Sequence, residues 1–225
     1  MLVLGIDTCG SSGSVALGRL NGQSVEILAQ TELAGRSYSA TLIAAIAGLL
    51  SSAGANLKEL GAIVAVSGPG SFTGVRVGLS AVKGLAEPAA IPVVAVSRLA
   101  VLAFESGVPT VALDAHRHEL FLRFHPPNAE PCELLAGAPE IASLNPTPAR
   151  IALCDESAAT LLSSSLPTAE LVRVAAPAAA DAMQLAAPLI LAGTFVDLAL
   201  LDGHYLRRSD AEIFGEPTPA SPHNP

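Results

Sequence analysis

Cysteine is scarce in this chain. Cys9, Cys132 and Cys154 are scattered along the sequence with no Cys-x-x-Cys pair. That argues against a disulfide framework and a cysteine-built zinc site, and it fits a reducing cytosol. Positive charge is also short: 12 Lys and Arg stand against 20 Asp and Glu, for a net charge of −8. A chain of that sign does not draw a phosphate backbone by its overall field, so any RNA role needs a local basic patch or a basic partner. Long apolar runs are missing too. The most apolar window, 185–201, is interrupted by Pro188, Gly193 and Asp197, whereas a membrane-spanning helix wants about 20 apolar residues. The N-terminus has no basic lead and its apolar run stops at Asp7, so it reads as a strand rather than a signal peptide. Tryptophan is absent and aromatics make up 4% of the 225 residues, so much of the 51% hydrophobic content is alanine. The length still suffices for one large or two small domains with a sizeable core.

What the chain does have is glycine at informative places. The stretch Val64-Ala65-Val66-Ser67-Gly68-Pro69-Gly70-Ser71-Phe72-Thr73-Gly74-Val75-Arg76 reads as a buried strand, a tight turn and a helix start. Val75, Leu79, Val82 and Ala86 follow at helical spacing. Glycines let backbones come close, and the free N–H groups of a new helix suit an anion or a tightly packed neighbour. The motif is not Gly-x-Gly-x-x-Gly, because Gly74 comes one place late. It is not a P-loop, because no Gly-Lys-Ser/Thr follows, and Ser71 lacks the flanking glycines of a nucleophile elbow. Two readings stay open: a sharp turn that packs a helix on a sheet, and a phosphate cradle.

Around this stretch, strands are expected at 2–6, 14–17 and 25–28, with a hairpin signal at Asn21-Gly22. A helix capped by Ser37 or Ser39 shows an apolar face of Leu42, Ile43, Ile46, Leu49 and Leu50 and ends at Gly54. The helix behind the glycine turn is expected to stop before Pro88. A strand at 91–96 and a short helix capped by Ser97 complete one α/β unit. A strand at 110–113 ending in Asp114, with a return strand at 119–124, repeats the device of Val3-Leu4-Gly5-Ile6-Asp7. Further on, 126–127 and 139–148 read as loop-rich, 151–153 as a strand, 157–162 and 181–192 as helices, and the tail after Phe214 as loose. Asp114, His116 and His118 alternate, so on a strand they would share one face and could hold a zinc ion. A polar hairpin end is the competing reading.

Ile6-Asp7-Thr8, Gly68-Pro69-Gly70-Ser71-Phe72-Thr73-Gly74-Val75-Arg76 and Tyr205-Leu206-Arg207 resemble, in order and spacing, the bacterial TsaB (YeaZ) family. The match covers the first hundred residues well and the rest loosely. The resemblance implies an α/β, actin-like ATPase (acetate kinase/sugar kinase/Hsp70/actin) fold of two lobes with mixed sheets. An N-terminal lobe would span 1–105, and a smaller C-terminal lobe with a loose Pro-rich tail 106–225. It implies a part in making threonylcarbamoyladenosine on tRNA, as a non-catalytic subunit that dimerises with and supports the catalytic paralogue TsaD. A TsaE-like ATPase would share the complex, tRNA would be reached only through it, and a homodimer is a further assembly open to the chain. The expected location is cytoplasmic. ATP and metal would belong to the partner complex, with no cofactor held tightly by this chain alone. A metal-dependent glycoprotease-like hydrolase and a free actin-like nucleotide-binding enzyme are the alternatives.

The resemblance also assigns residues. The metal-holding His-x-x-x-His pair of the catalytic paralogue falls here on Ala95 and Leu99, which cannot ligate, so no catalytic or metal residue is assigned. A nucleotide loop would use Asp7, Thr8, Gly68 and Gly70. Cys154-Asp155-Glu156 stands where relatives often have Gly-Asp-Gly, and the added carboxylate would repel a phosphate. His116 takes an arginine position, and Tyr38-Ser39 stands where the first helix often opens with His-Ser or His-Thr. The helices at 39–52 and 73–86 are smooth and nearly uncharged. With the family's use of this region, that places a partner interface at Tyr38, Leu42, Ala45, Ile46, Leu49, Phe72, Thr73, Arg76, Val77 and Ala81.

Overall fold

The computed structural model describes residues 1–126 and 128–207, the side chain of Arg36 aside. The first strand, Leu2–Asp7 (β1), is buried along nearly its whole length, as a strand covered on both faces must be. It pairs antiparallel with Ser12–Asn21 (β2), which pairs antiparallel with Ser24–Ala34 (β3). The β2–β3 turn holds Gly22 at φ +59°, the left-handed geometry that a two-residue hairpin requires. On the other side of β1 lie two parallel strands, Leu60–Val66 (β4) and Val93–Val96 (β5), giving the order β3-β2-β1-β4-β5. The helices Tyr38–Ser52 (α1) and Phe72–Ala89 (α2) complete the connections within this lobe.

The helix Arg98–Ser106 (α3), capped by the Ser97 hydroxyl, leads to a second sheet. Its strands are Val111–Asp114 (β6), Leu120–Phe124 (β7), Cys132–Ala136 (β8), Arg150–Leu153 (β9) and Glu170–Arg173 (β10), in the order β10-β9-β6-β7-β8. Both sheets therefore set an antiparallel three-strand meander beside two parallel strands, with β1 and β6 in the same place and each ending in Asp. This duplicated two-lobe arrangement is the actin-like ATPase fold. The helices Ala138–Ala142 (α4) and Glu156–Ser165 (α5) belong to the second lobe.

Several expectations are corrected. The strands β8 and β10 and the short α4 fall where loop was expected or nothing was marked. Both strands are short sheet edges with few fully buried residues, so they carry little apolar pattern. The helix α2 runs past Pro88 to Ala89. The carbonyl that Pro88 leaves without its N–H partner is that of Gly84, an exposed residue where water can serve it. Ile43, expected inside, is 53% exposed. The range 106–225 does not behave as one lobe: Ala179–Leu191 (α6) returns to the first sheet, where Met183 faces Gly5 and Gly18. Side chains alternate along a strand, so Leu4 and Ile6 point to the opposite face, under α1 and α2. The Pro-rich tail beyond Phe214 lies outside the described residues.

The glycines of α2 divide by environment. At Gly74 and Gly78 a Cβ would run into the Thr8 carbonyl and hydroxyl, so α2 lies directly on the loop after β1. At Gly84, and at Gly48 on α1, a Cβ would meet nothing. Gly74→Ala should therefore cost about 3 kcal/mol through overpacking. Gly84→Ala should instead gain up to about 1 kcal/mol from helix propensity. Urea unfolding of both variants checks this, and a neutral Gly74→Ala would refute the close approach.

Candidate functional site

The carboxyl ends of β1 and β6 open onto a cleft of about 790 Å³ between the lobes, lined by residues that include Gly10, Ser71, Arg98, Asp114, Asp155 and Arg207. Asp7 ends β1 but is only 1% exposed. Its carboxylate accepts the Cys9 N–H at 2.8 Å and lies 3.5 Å from Arg98 Nε. Thr8, equally buried, donates its hydroxyl to the Gly74 carbonyl at 2.7 Å. Gly70 packs on the Cys9 carbonyl, which accepts the Ser71 N–H at 2.7 Å. Gly68, at φ +111°, starts the turn in a conformation that favours glycine. The four residues expected at a nucleotide loop are thus brought together at the N-terminus of α2, where Asp7, Thr8 and Gly70 are engaged with the chain itself. The space left by Gly70, Gly74 and Gly78 is filled by the loop after β1.

Arg98 is the residue that sequence reasoning missed. It is 8% exposed, and its Nε has no hydrogen-bond acceptor among the described residues. Burial alone would lower its pKa, but Asp7, followed by Cys9, Cys154 and Asp155, drives it upward, so the guanidinium stays charged. A single arginine directly before the apolar stretch Leu99–Leu102 was the one local signal. Cys9 is buried beside this pair, and burial together with the Asp7 charge pushes its thiol pKa well up.

On the second lobe, Asp114 accepts the Ser157 hydroxyl at 2.6 Å and the His116 N–H at 2.7 Å. Burial opposes ionisation there, but the Ser157 bond leads the contributions that hold the Asp114 carboxyl below its ordinary range. His116, Arg117 and His118 all have positive φ, 60°, 56° and 61°. They form a left-handed turn, so the expected alternation of Asp114, His116 and His118 on one strand face does not occur. Among the described residues no three or more His, Cys, Asp or Glu side chains converge to hold a metal ion. Ala95 on β5 is half-buried, and Leu99 on α3 is buried in the second-lobe core; neither offers a donor atom. Asp155 accepts the Asp114 N–H, and Glu156 pairs with Arg173 at 2.8 Å.

A second candidate is the outer surface of α1 and α2. Tyr38, Leu42, Ile46 and Leu49, expected at an interface, are core residues instead, and the Tyr38 hydroxyl donates to the Gly10 carbonyl. They form the apolar stripe that holds α1 on the sheet. Ala45, Phe72, Val77 and Ala81 are half-buried, while Thr73 and Arg76 are exposed. The open face consists of Ile43, Ala44, Ala47 and Gly48 on α1 and Arg76, Ser80 and Gly84 on α2. Helix α1 carries no charge at all. Among the described residues no helix is long and apolar enough to cross a membrane.

A solved structure from Pseudomonas aeruginosa, named for its similarity to the peptidase YeaZ, overlaps 92% of this chain and 99% of its own, with a TM-score of 0.74 and 26% identity. The structure of YeaZ from the same organism overlaps 91% and 99%, at TM-score 0.70 and 27% identity. The tRNA threonylcarbamoyladenosine biosynthesis protein TsaB of Escherichia coli is 35% identical over 127 residues, 54% of this chain and 53% of that protein. In sequence and in fold the chain resembles the TsaB/YeaZ family. It spans about half the length of the curated TsaB relatives it matches. A family model for TsaD, tRNA N6-adenosine threonylcarbamoyltransferase, matches residues 26–124. That match runs from β3 through α1, the glycine turn and α2 into β7, so it includes both helices of the second candidate and Arg98 of the cleft, while Asp7, Thr8, Asp155 and Arg207 lie outside it.

Proposed function

We propose that this chain is a non-catalytic subunit in the biosynthesis of threonylcarbamoyladenosine on tRNA, docking on a TsaD-like catalytic paralogue. The observation that carries the reading is the exposed face of α1 and α2. A solvated surface helix ordinarily shows a charged outer side, and the outer side of α1 carries no charge, with Arg76 the one charged residue named on the α2 side. Gly48 and Gly84 stand in it at a helix-propensity cost of roughly 1 kcal/mol each, with nothing in their own chain that needs the missing Cβ. A second helix pair laid against them would need it. The names of the TsaB relatives and the TsaD-like segment support the pathway. Ala95 and Leu99, with no donor atoms, count against a metal-dependent hydrolase, and the Arg98-filled loop after β1 counts against a free nucleotide-using enzyme. ATP and metal then belong to the paralogue and to a TsaE-like ATPase, tRNA is met through the assembly, and the work is cytoplasmic.

The test is reconstitution with the TsaD-like paralogue of the same organism. The two chains should co-elute, and tRNA threonylcarbamoylation should need both. Modification by this chain alone, or by the paralogue at full rate without it, overturns the proposal.

A further inference from the structure

The last described segment crosses the mouth of the interlobe cleft. Leu201 is still part of the first-lobe core. Past it, the His204 N–H donates to the Ser67 carbonyl at 2.7 Å, at the end of β4. The Tyr205 ring lies against Phe72 at the start of α2, centroids 4.9 Å apart, with the Arg76 guanidinium 3.8 Å from the centre of the Phe72 ring. These contacts are all with the first lobe. The same segment also grips the second lobe. His204 Nε2 stands 2.9 Å from Glu133 on β8, a carboxylate that also accepts the Ser97 hydroxyl at 2.6 Å and pairs with Arg123 at 2.8 Å. Burial alone would raise the Glu133 pKa, but the bonds from His204, Ser97 and Arg123 hold it low, so the group stays an anion. Arg207 donates to the Ala115 carbonyl at 2.7 Å, to that of His116 at 3.4 Å, and to the Glu119 carboxylate, so it closes over the left-handed turn.

We infer that residues 203–207 are a latch that sets the width of the interlobe cleft. Its ring contact with Phe72, the close approach of His204 to Glu133 and the Arg207 bonds to the β6–β7 turn make and break together. The geometry favours this because the first-lobe and second-lobe anchors alternate within five residues. A shift of the lobes that frees Tyr205 from Phe72 must drag His204 and Arg207, and the reverse holds. Among the described residues the chain otherwise passes between the lobes at α3 and at the stretch before α6, so the latch is a third tie, placed at the mouth of the cleft.

Amide hydrogen exchange tests the coupling by disturbing one end and reading the other. The reporters are the Ala115 and Glu119 amides, which close the turn, and the Val75 amide in the first turn of α2. Tyr205→Ala and Arg207→Ala should each speed exchange about tenfold at both ends and leave β1–β5 protected, as a sub-global opening does. Tyr205→Phe, which keeps the ring, should behave as the parent. Spin labels on exposed Cys132 and on a Ser80→Cys variant report the width itself, and their distance distribution should broaden in both alanine variants. Cys9 is buried and Cys154, half-buried, is replaced by serine for this measurement; burial pushes the Cys9 thiol pKa well up, so it reacts slowly near neutral pH. If each variant loosens only its own end, or neither changes exchange or width, the latch is refuted. Loss of protection in β1–β5 as well would make the segment part of the core and refute it equally.

Discussion

A glutamate at Ile43 should weaken binding to the TsaD-like paralogue at least a hundredfold while the chain stays folded. Ile43 is 53% exposed on the uncharged outer side of α1, beside the exposed Ala44 and Ala47. In the free protein the new carboxylate points into water and costs little, since surface changes of this kind usually stay within about 0.5 kcal/mol. In the complex it would be buried with no cation opposite, a penalty of several kcal/mol for an unpaired ion. Each tenfold in Kd is about 1.4 kcal/mol, so a hundredfold is a conservative figure. Gly84→Glu on the facing helix should act in the same direction. Ile46→Glu is the contrasting case: Ile46 is a core residue, so that variant should unfold rather than merely fail to bind. Calorimetric titration with the paralogue, together with circular dichroism melts, separates the two outcomes. Full affinity in both Ile43→Glu and Gly84→Glu would remove the face from the interface.

How far these sites were legible depends on where their information sits in the chain. The strand ending at Asp7, the glycine turn and the buried face of α2 were readable because each is a local pattern. Val75, Leu79, Val82 and Ala86 repeat with a period that only a helix satisfies, and all four are buried. Helix α1 is harder. With no charged residue between Tyr38 and Ser52, no polar side marks which apolar residues face out, and Leu42 and Ile43 are interchangeable by composition. Packing on β2 and β3 decides between them, and packing is not local. The zinc reading failed for a related reason. Alternation implies a shared face only if the strand continues, and here the Asp114 carboxylate takes the His116 N–H and turns the chain left-handed. The return of α6 to the first sheet could not be read from residues 179–191 either, because an alanine-rich helix suits either lobe. Arg98 is the sharpest case: its partner Asp7 is far away in sequence, and no spacing rule joins them.

That pair carries the largest expected effect on stability. Arg98→Ala should cost about 3–5 kcal/mol, the usual penalty for stranding one member of a buried ion pair. For a chain of this size each kcal/mol moves the melting midpoint by roughly 2–4 °C, so the drop should be on the order of 10 °C. The reason is the enclosure of Asp7. The Cys9 N–H satisfies one carboxylate oxygen, and the other faces the guanidinium at 3.5 Å with almost no access to water. Without the cation the negative charge remains inside, and neither α2 nor the Thr8 loop can open to hydrate it without losing the Gly74 and Gly78 contacts. A further measurement separates this cause from simple loss of side-chain volume. Adding Asp7→Asn to an Arg98→Met chain should recover much of the loss, because a neutral pair of similar volume leaves no buried charge unpaired, and the double-mutant cycle should show strong coupling. Additive single effects would mean that Arg98 holds the lobes by packing, and that the charge on Asp7 is met elsewhere.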